Sequence, residues 1–225
     1  MKENIIGREQ EIEKLENYIS SRKSEFIAIY GRRRVGKTFL VKELFENRFA
    51  FRVTGKDNVT TKEQLTSFSF ALNDQLGIET DVTNWPEAFR LLQKALEKMT
   101  DGTKIIFFDE LPWFDTYASN FISALEHFWN DWAFYRSDIK LIACGSATTW
   151  MLNQVINSRG GLHNRITHNI LLSPFKLHEV EEYFKSQGFY YERPEIIECY
   201  MAMGGVAYYL SLFEINKSVA QNIQQ

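Results

Sequence analysis

The sequence predicts an α/β layer fold: a five-stranded parallel sheet between helices, followed by a small helical appendage. Three observations predict it. Five short apolar runs, at 26–30, 49–53, 105–108, 139–144 and 170–172, read as strands buried on both faces. Helical periodicity fills the intervals between them. After Pro174 the strand-like runs stop and only helical patterns remain. Composition agrees, because 225 residues that are 44% hydrophobic and 24% charged can bury a sizeable core and lie far from the signature of disorder.

In chain order, Ile12, Leu15 and Ile19 share one face of a helix expected over 8–22. The first strand, Phe26 to Tyr30, stops at Gly31. Helices follow over 37–46 and 61–76, with the 49–53 strand between them, and then over 86–99, where Asn84-Trp85-Pro86 is a start signal. The 105–108 strand, a helix over 118–131 and the 139–144 strand come next, then a short helix over 147–155 and the strand at 170–172. Helices over 176–187, 194–203 and 206–214 complete the appendage, which divides the chain into 1–173 and 174–225. Ala220 to Gln225 carry neither a helix stop signal nor an apolar finish, so the expectation is a piece of a longer chain.

Several classes are disfavoured at once. The 26 Lys+Arg against 29 Asp+Glu leave a charge of −3, so any nucleic-acid contact must be local. No apolar run approaches the ~20 residues of a spanning helix, and Met1, Lys2, Glu3 and Asn4 lack the build of a signal peptide. The reading is a soluble, cytoplasmic protein without a membrane partner. Cys144 and Cys199 read as buried free thiols. His127, His163, His168 and His178 show no zinc spacing, so no structural metal is expected.

Gly31-Arg32-Arg33-Arg34-Val35-Gly36-Lys37-Thr38 matches G-x-x-x-x-G-K-[ST] between a buried strand and a helix, the context a phosphate-binding P-loop requires. Gly31 and Gly36 permit the backbone angles that turn successive N–H groups toward phosphate oxygens. Lys37 brings a mobile charge to the β- and γ-phosphates, Thr38 offers a hydroxyl to Mg²⁺, and the helix N-terminus adds its dipole. Phe39 follows as the last residue of the expected nucleotide-holding set. Arg32, Arg33 and Arg34 read either as solvated side chains or as phosphate or partner contacts.

Lys104 to Glu110 is a buried strand whose carboxyl end carries two acids. Ligands of open parallel sheets bind at that edge. Asp109 suits Mg²⁺ held through its water shell, and Glu110 is placed to orient and deprotonate a water attacking the γ-phosphate. The second acid argues for hydrolysis over phosphorylation of a small acceptor. Neither an Asn-Lys-x-Asp box nor an Asp-x-x-Gly after the third strand occurs, which points to ATP over GTP. The fourth strand ends in Gly145-Ser146, and Ser146 reads either as a sensor of the γ-phosphate or attacking water or as a helix N-cap. Arg165, after Gly160-Gly161, reads as a cation reaching a nucleotide of its own or a neighbouring subunit, or as one half of a surface ion pair.

Taken together, Ile6-Gly7-Arg8-Glu9 with Glu11, the phosphate loop, Phe108-Asp109-Glu110, Gly145-Ser146, Arg165, Ser173-Pro174-Phe175 and Gly204-Gly205-Val206 resemble the archaeal-type P-loop ATPase family, of the STAND class and close to AAA+ proteins. The resemblance implies strand order 5-1-4-3-2, a helical lid, and often a winged-helix or nuclease-like region beyond it. It also implies that Ile6 and Gly7 line an adenine pocket with Arg8 supporting the turn. Where the family usually carries Pro after Gly-Gly-Val, this chain has Ala207.

Between the third and fourth strands, Phe121, Leu125 and Phe128 form a core stripe, while Trp113 and Trp132 fall outside it. They suggest an exposed patch for a protein partner or for self-association, or a stacking platform for single-stranded nucleic acid. Without interleaved Lys or Arg the protein contact is favoured. The functional expectation is Mg²⁺-dependent hydrolysis of ATP to ADP and phosphate driving a lid switch, with DNA reached through a region absent from this chain. The alternatives are a slow-turnover nucleotide-gated binding module and a small-molecule kinase.

Overall fold

A computed structural model describes residues 5–100, 102–158 and 160–224. The leader reading at Met1–Asn4, and Gln225 at the terminus, lie outside the described residues. Among those described, no helix is long and apolar enough to cross a membrane.

Five strands are formed: β1 Glu25–Tyr30, β2 Phe49–Thr54, β3 Lys104–Asp109, β4 Ile139–Gly145 and β5 His168–Leu171. All pairings are parallel, in the order β2-β3-β4-β1-β5. This is the order the resemblance implied. Alternation along the strands feeds two apolar layers. Phe26, Ala28, Ile106, Phe108 and Leu141 face one cluster with Phe68, Trp85 and Trp129. Ile27, Ile29, Ile105, Phe107 and Ile142 face the other with Leu15, Leu40 and Val41.

The helices are α1 Glu9–Ser20, α2 Lys37–Phe45, α3 Thr61–Leu76, α4 Trp85–Lys98, α5 Phe121–His127, α6 Thr148–Trp150, α7 Leu177–Ser186, α8 Arg193–Met203, α9 Ala207–Leu210 and α10 Val219–Ile223. A reciprocal capping box between Thr60 and Glu63 starts α3, and Gly77 at φ 65° stops it. The Asn84 side chain accepts from the Glu87 N–H at 2.9 Å to start α4. From α3, Gln75 lies along the outer edge of β2. Its Oε1 accepts from Arg52 N–H and its Nε2 donates to Arg52 C=O, both at 2.8 Å.

Three expectations need correction. The helix expected over 118–131 begins only at Phe121, after Ala118 and Asn120 in left-handed conformations, and widens into a π turn over Phe128–Trp132. The extra residue in that turn delays the helical phase, so Ala133 is buried and Trp132 is left half-buried. Trp132 packs on Phe128 and lies under the Arg136 guanidinium at 5.0 Å, while Trp113, also half-buried, lies under Arg33 at 5.6 Å. Neither tryptophan is the open patch the sequence suggested, because each is roofed by an arginine. The helix expected over 206–214 is a single turn, α9, and the terminal α10 was unforeseen. Its signal is present in Ser218 and Gln221, which form a capping box.

Beyond β5, the helices bury their own cluster of Phe175, Val180, Phe184, Phe189, Ile196, Cys199, Leu210, Phe213 and Val219. Cys144 and Cys199 are both free and buried.

Candidate functional site

Gly31 follows β1 directly at φ 142°, and a Cβ there would sit 2.3 Å from the Leu172 carbonyl oxygen. Only glycine lets the loop leave the sheet so close to β5. Gly36, at φ 96°, caps α2, and a Cβ added there would meet nothing within 4 Å. The positive angle therefore serves the curl of the loop and the open space inside it. Lys37 is 5% exposed, and its Nζ donates to the carbonyls of Gly31 and Arg32, each at 3.0 Å. Burial holds this ammonium below its ordinary pKa despite the nearby charge of Glu110. A buried cation partnered by neutral carbonyls is an anion site by its electrostatics.

Opposite it, Asp109 ends β3 and is 5% exposed. Its two oxygens accept from Thr38 Oγ1 at 2.9 and 3.0 Å. Burial raises the Asp109 pKa, outweighing the opposing bond from Thr38, and the charge of Glu110 raises it further. Among the described residues Asp109 forms no ion pair. A carboxylate short of positive charge beside a threonine hydroxyl is the donor chemistry that suits Mg²⁺.

Strict strand alternation would send Glu110 to the far face from Asp109. Instead Glu110 takes a left-handed conformation at φ 48° and ψ 52°, turning the chain as it leaves β3. Its Oε2 accepts from the N–H of Ser146 at 3.0 Å and from the Ser146 hydroxyl at 2.8 Å. Ser146 is thus engaged with Glu110, and the cap position of α6 is Ala147, with no side-chain cap bond. The N-cap reading of Ser146 is corrected accordingly.

A cleft of about 540 Å³ runs from this edge between the N-terminal segment and the appendage. Ile6, Arg8, Arg34, Val35, Gly36, Lys37, Thr38, Phe39 and Glu110 line it, joined by Phe175, Tyr183, Gln187, Ala207 and Tyr208 from the other side. Gly7 is buried beside the cleft, where a Cβ would approach Glu179 Oε1 to 2.9 Å. Arg8 donates to the Ser173 carbonyl at 2.7 Å and lies over the Phe175 ring at 4.6 Å. Arg34, at φ 69°, accepts from the Tyr208 N–H at 3.2 Å and stacks its guanidinium over the Tyr208 ring at 4.5 Å.

The remaining candidates stand apart. Arg32 and Arg33 are exposed and do not line the cleft, and Arg33 lies 4.0 Å from Asp57. Arg165 packs over the Phe134 ring at 4.7 Å, away from the residues that line the cleft. Sequence reasoning missed Tyr183 on α7, Gln187 just past its end and Tyr208 on α9, which belong to no motif and reach the cleft only because these segments fold back over the phosphate loop.

Residues 5–213 match the family described as an ATPase domain predominantly from Archaea. The chain belongs to this family. An uncharacterized protein of Methanocaldococcus jannaschii is 29% identical to this ATPase domain over 209 residues, which is 92% of the chain and 43% of that protein. The chain thus spans less than half the length of that relative. An uncharacterized ATP-binding protein of the same organism is 46% identical over 44 residues, 20% of the chain and 75% of the relative. Among solved structures, a Walker-type ATPase of Pyrococcus abyssi superposes with a TM-score of 0.72 at 20% identity, covering 99% of this chain and 71% of that one. The Aeropyrum pernix ORC2 protein, solved as ADPNP–ADP complexes, superposes at 0.64 with 15% identity, covering 93% and 63%. A STAND protein of Pyrococcus horikoshii with a tetratricopeptide-repeat sensor superposes at 0.53 with 19% identity, covering 97% and 32%. The P-loop fold of this ATPase domain is shared with all three.

Proposed function

We propose that this domain binds ATP with Mg²⁺ in the cleft and hydrolyses it to ADP and phosphate, and that the cycle moves residues 174–225 as a lid. The observation that carries the reading is the meeting of loop and acids at one sheet edge: Thr38 Oγ1 bonds both Asp109 oxygens beside the buried Lys37 ammonium. Lys37 would exchange its two neutral carbonyl partners for charged phosphate oxygens. Thr38 and Asp109 would hold Mg²⁺, which supplies charge stabilisation for the transferred phosphoryl group when bound. Glu110 is the base that takes the proton of the attacking water, and Ser146 sets where its carboxylate rests. Ile6 and Gly7 belong to the nucleoside end, with Arg8 bracing the turn through Ser173.

The slow-turnover reading also has an observation behind it. Glu110 Oε2 is held by two donors of Ser146, and a base so tethered must be released before it can take a proton. We take the output of the cycle to be control of an effector or DNA-binding region outside this chain, a reading supported by the greater length of the relative and by the STAND and ORC-type neighbours.

Calorimetry with ATP and Mg²⁺, paired with phosphate release, tests the assignment. Lys37→Ala should lose nucleotide binding. Glu110→Gln should keep ATP affinity and lose phosphate release by about a hundredfold or more. Phosphate release from Glu110→Gln at the parent rate would place the base elsewhere.

A further inference from the structure

The base end of the cleft is walled mainly by apolar groups, Ile5, Ile6, Phe175 and Tyr183. Such walls hold any base and choose none, since discrimination between bases needs directed hydrogen bonds. The polar groups along the cleft away from the phosphate loop are few; the Tyr183 and Tyr208 hydroxyls each both donate and accept and so cannot tell one base from another, and most of the rest are occupied. Arg8 is spent on the Ser173 carbonyl and the Phe175 ring. Arg34 is stacked over Tyr208, and Ser211 Oγ donates to the Tyr208 carbonyl at 2.8 Å. Gln187 differs. It is the exposed cap residue just past the end of α7, its N–H donating to the Tyr183 carbonyl at 3.1 Å, so the two residues come to the same side of the helix end, and both line the cleft. Its side-chain contact is a 3.2 Å bond from Nε2 to the exposed Ser186 hydroxyl, which leaves Oε1 and a second N–H to offer.

We infer that Gln187 is the residue that reads the nucleobase and selects adenine. This rests on the reading of the cleft as an ATP site. A primary carboxamide presents a donor beside an acceptor, and the N6/N7 edge of adenine presents the complement, an exocyclic N–H donor beside a ring-nitrogen acceptor, where guanine presents two acceptors, O6 and N7. A carboxylate at the same place would only accept. It would meet the adenine ring nitrogen lone pair with its own, yet it would match the two adjacent N–H donors on the Watson–Crick edge of guanine.

The test measures ATP, GTP and inorganic tripolyphosphate affinities by calorimetry on the parent, Gln187→Ala and Gln187→Glu. The parent should prefer ATP. Gln187→Ala should lower the ATP:GTP affinity ratio by about fivefold to a hundredfold, the worth of a bidentate base contact, and Gln187→Glu should lower it further or invert it. Tripolyphosphate affinity should stay at the parent value in both variants, which also certifies that they are folded around an intact phosphate site. A ratio unchanged in both variants would overturn the inference while leaving the ATP site standing. A parent that binds no nucleotide would remove the site and the inference together.

Discussion

Gly204 and Gly205 sit side by side after α8 with nearly equal backbone angles, φ 64° and 68°, yet their surroundings differ. A Cβ on Gly204 meets nothing within 4 Å, whereas one on Gly205 would lie 2.1 Å from the Phe175 carbonyl oxygen. Gly204→Ala should therefore cost only the left-handed penalty, about 1–2 kcal/mol. Gly205→Ala carries the same penalty and must also push two backbones apart, breaking the 2.8 Å bond from Phe175 N–H to Gly205 C=O. Stranding that donor adds about 1–3 kcal/mol, and the neighbour is backbone, so no rotamer can absorb the clash. The bond joins the connection after β5 to the turn after α8, so its loss should loosen the appendage over the cleft. Hydrogen exchange of α7 and α8 amides reads this directly. Exchange should be about 5- to 150-fold faster in Gly205→Ala than in Gly204→Ala, the kinetic equivalent of 1–3 kcal/mol. Equal exchange in the two variants would refute the claim that this close approach fastens the appendage.

Burial raises the Asp109 pKa above its ordinary 3.8, so the folded protein holds that proton more tightly than the unfolded chain does. Stability is then lost as pH rises through the folded-state pKa, and the carboxylate is a burden at neutral pH. Asp109→Asn should melt higher than the nucleotide-free parent at pH 7, with the gain vanishing toward pH 4, and should lose the Mg²⁺ dependence of ATP binding; paired melting curves and calorimetry decide it. Arg34→Ala removes the stack on Tyr208, worth about 0.5–1 kcal/mol at an exposed site, and should speed ADP release about two- to fivefold in stopped-flow chase. Arg165 packs on Phe134 and does not line the cleft of its own chain. If Arg165 acts across an interface, Arg165→Ala should lose phosphate release and regain it when mixed with Lys37→Ala, whereas parent-level activity of Arg165→Ala alone would confine the residue to packing.

Much of this was legible because parallel strands buried on both faces write themselves as near-continuous apolar runs; Ile105 to Phe108, and Ile139 to Cys144 with Lys140 as its one polar residue, left little choice. The phosphate loop is equally local, and the two acids mark a strand end. Contacts between distant segments were not legible. The turn that brings Glu110 to Ser146 depends on a left-handed residue with no Gly or Asn to announce it, and the partners are 36 residues apart. Arg33 over Trp113 joins the phosphate loop to the turn after β3 across the sheet edge, and the two residues are too far apart in sequence for the pairing to show there. The π turn that buries Ala133 in place of Trp132 answers to packing, not to propensity. The α10 capping box, at Ser218 and Gln221, is by contrast a local signal that the sequence carries.

The carboxamide of Gln75 closes both main-chain groups of Arg52 on one edge strand, β2. An open margin of this kind templates sheet growth from one molecule to the next. Here a newcomer strand must first evict a side chain already bonded to donor and acceptor alike. The molecule is thereby guarded against edge-to-edge fibril growth at this point by a neutral plug.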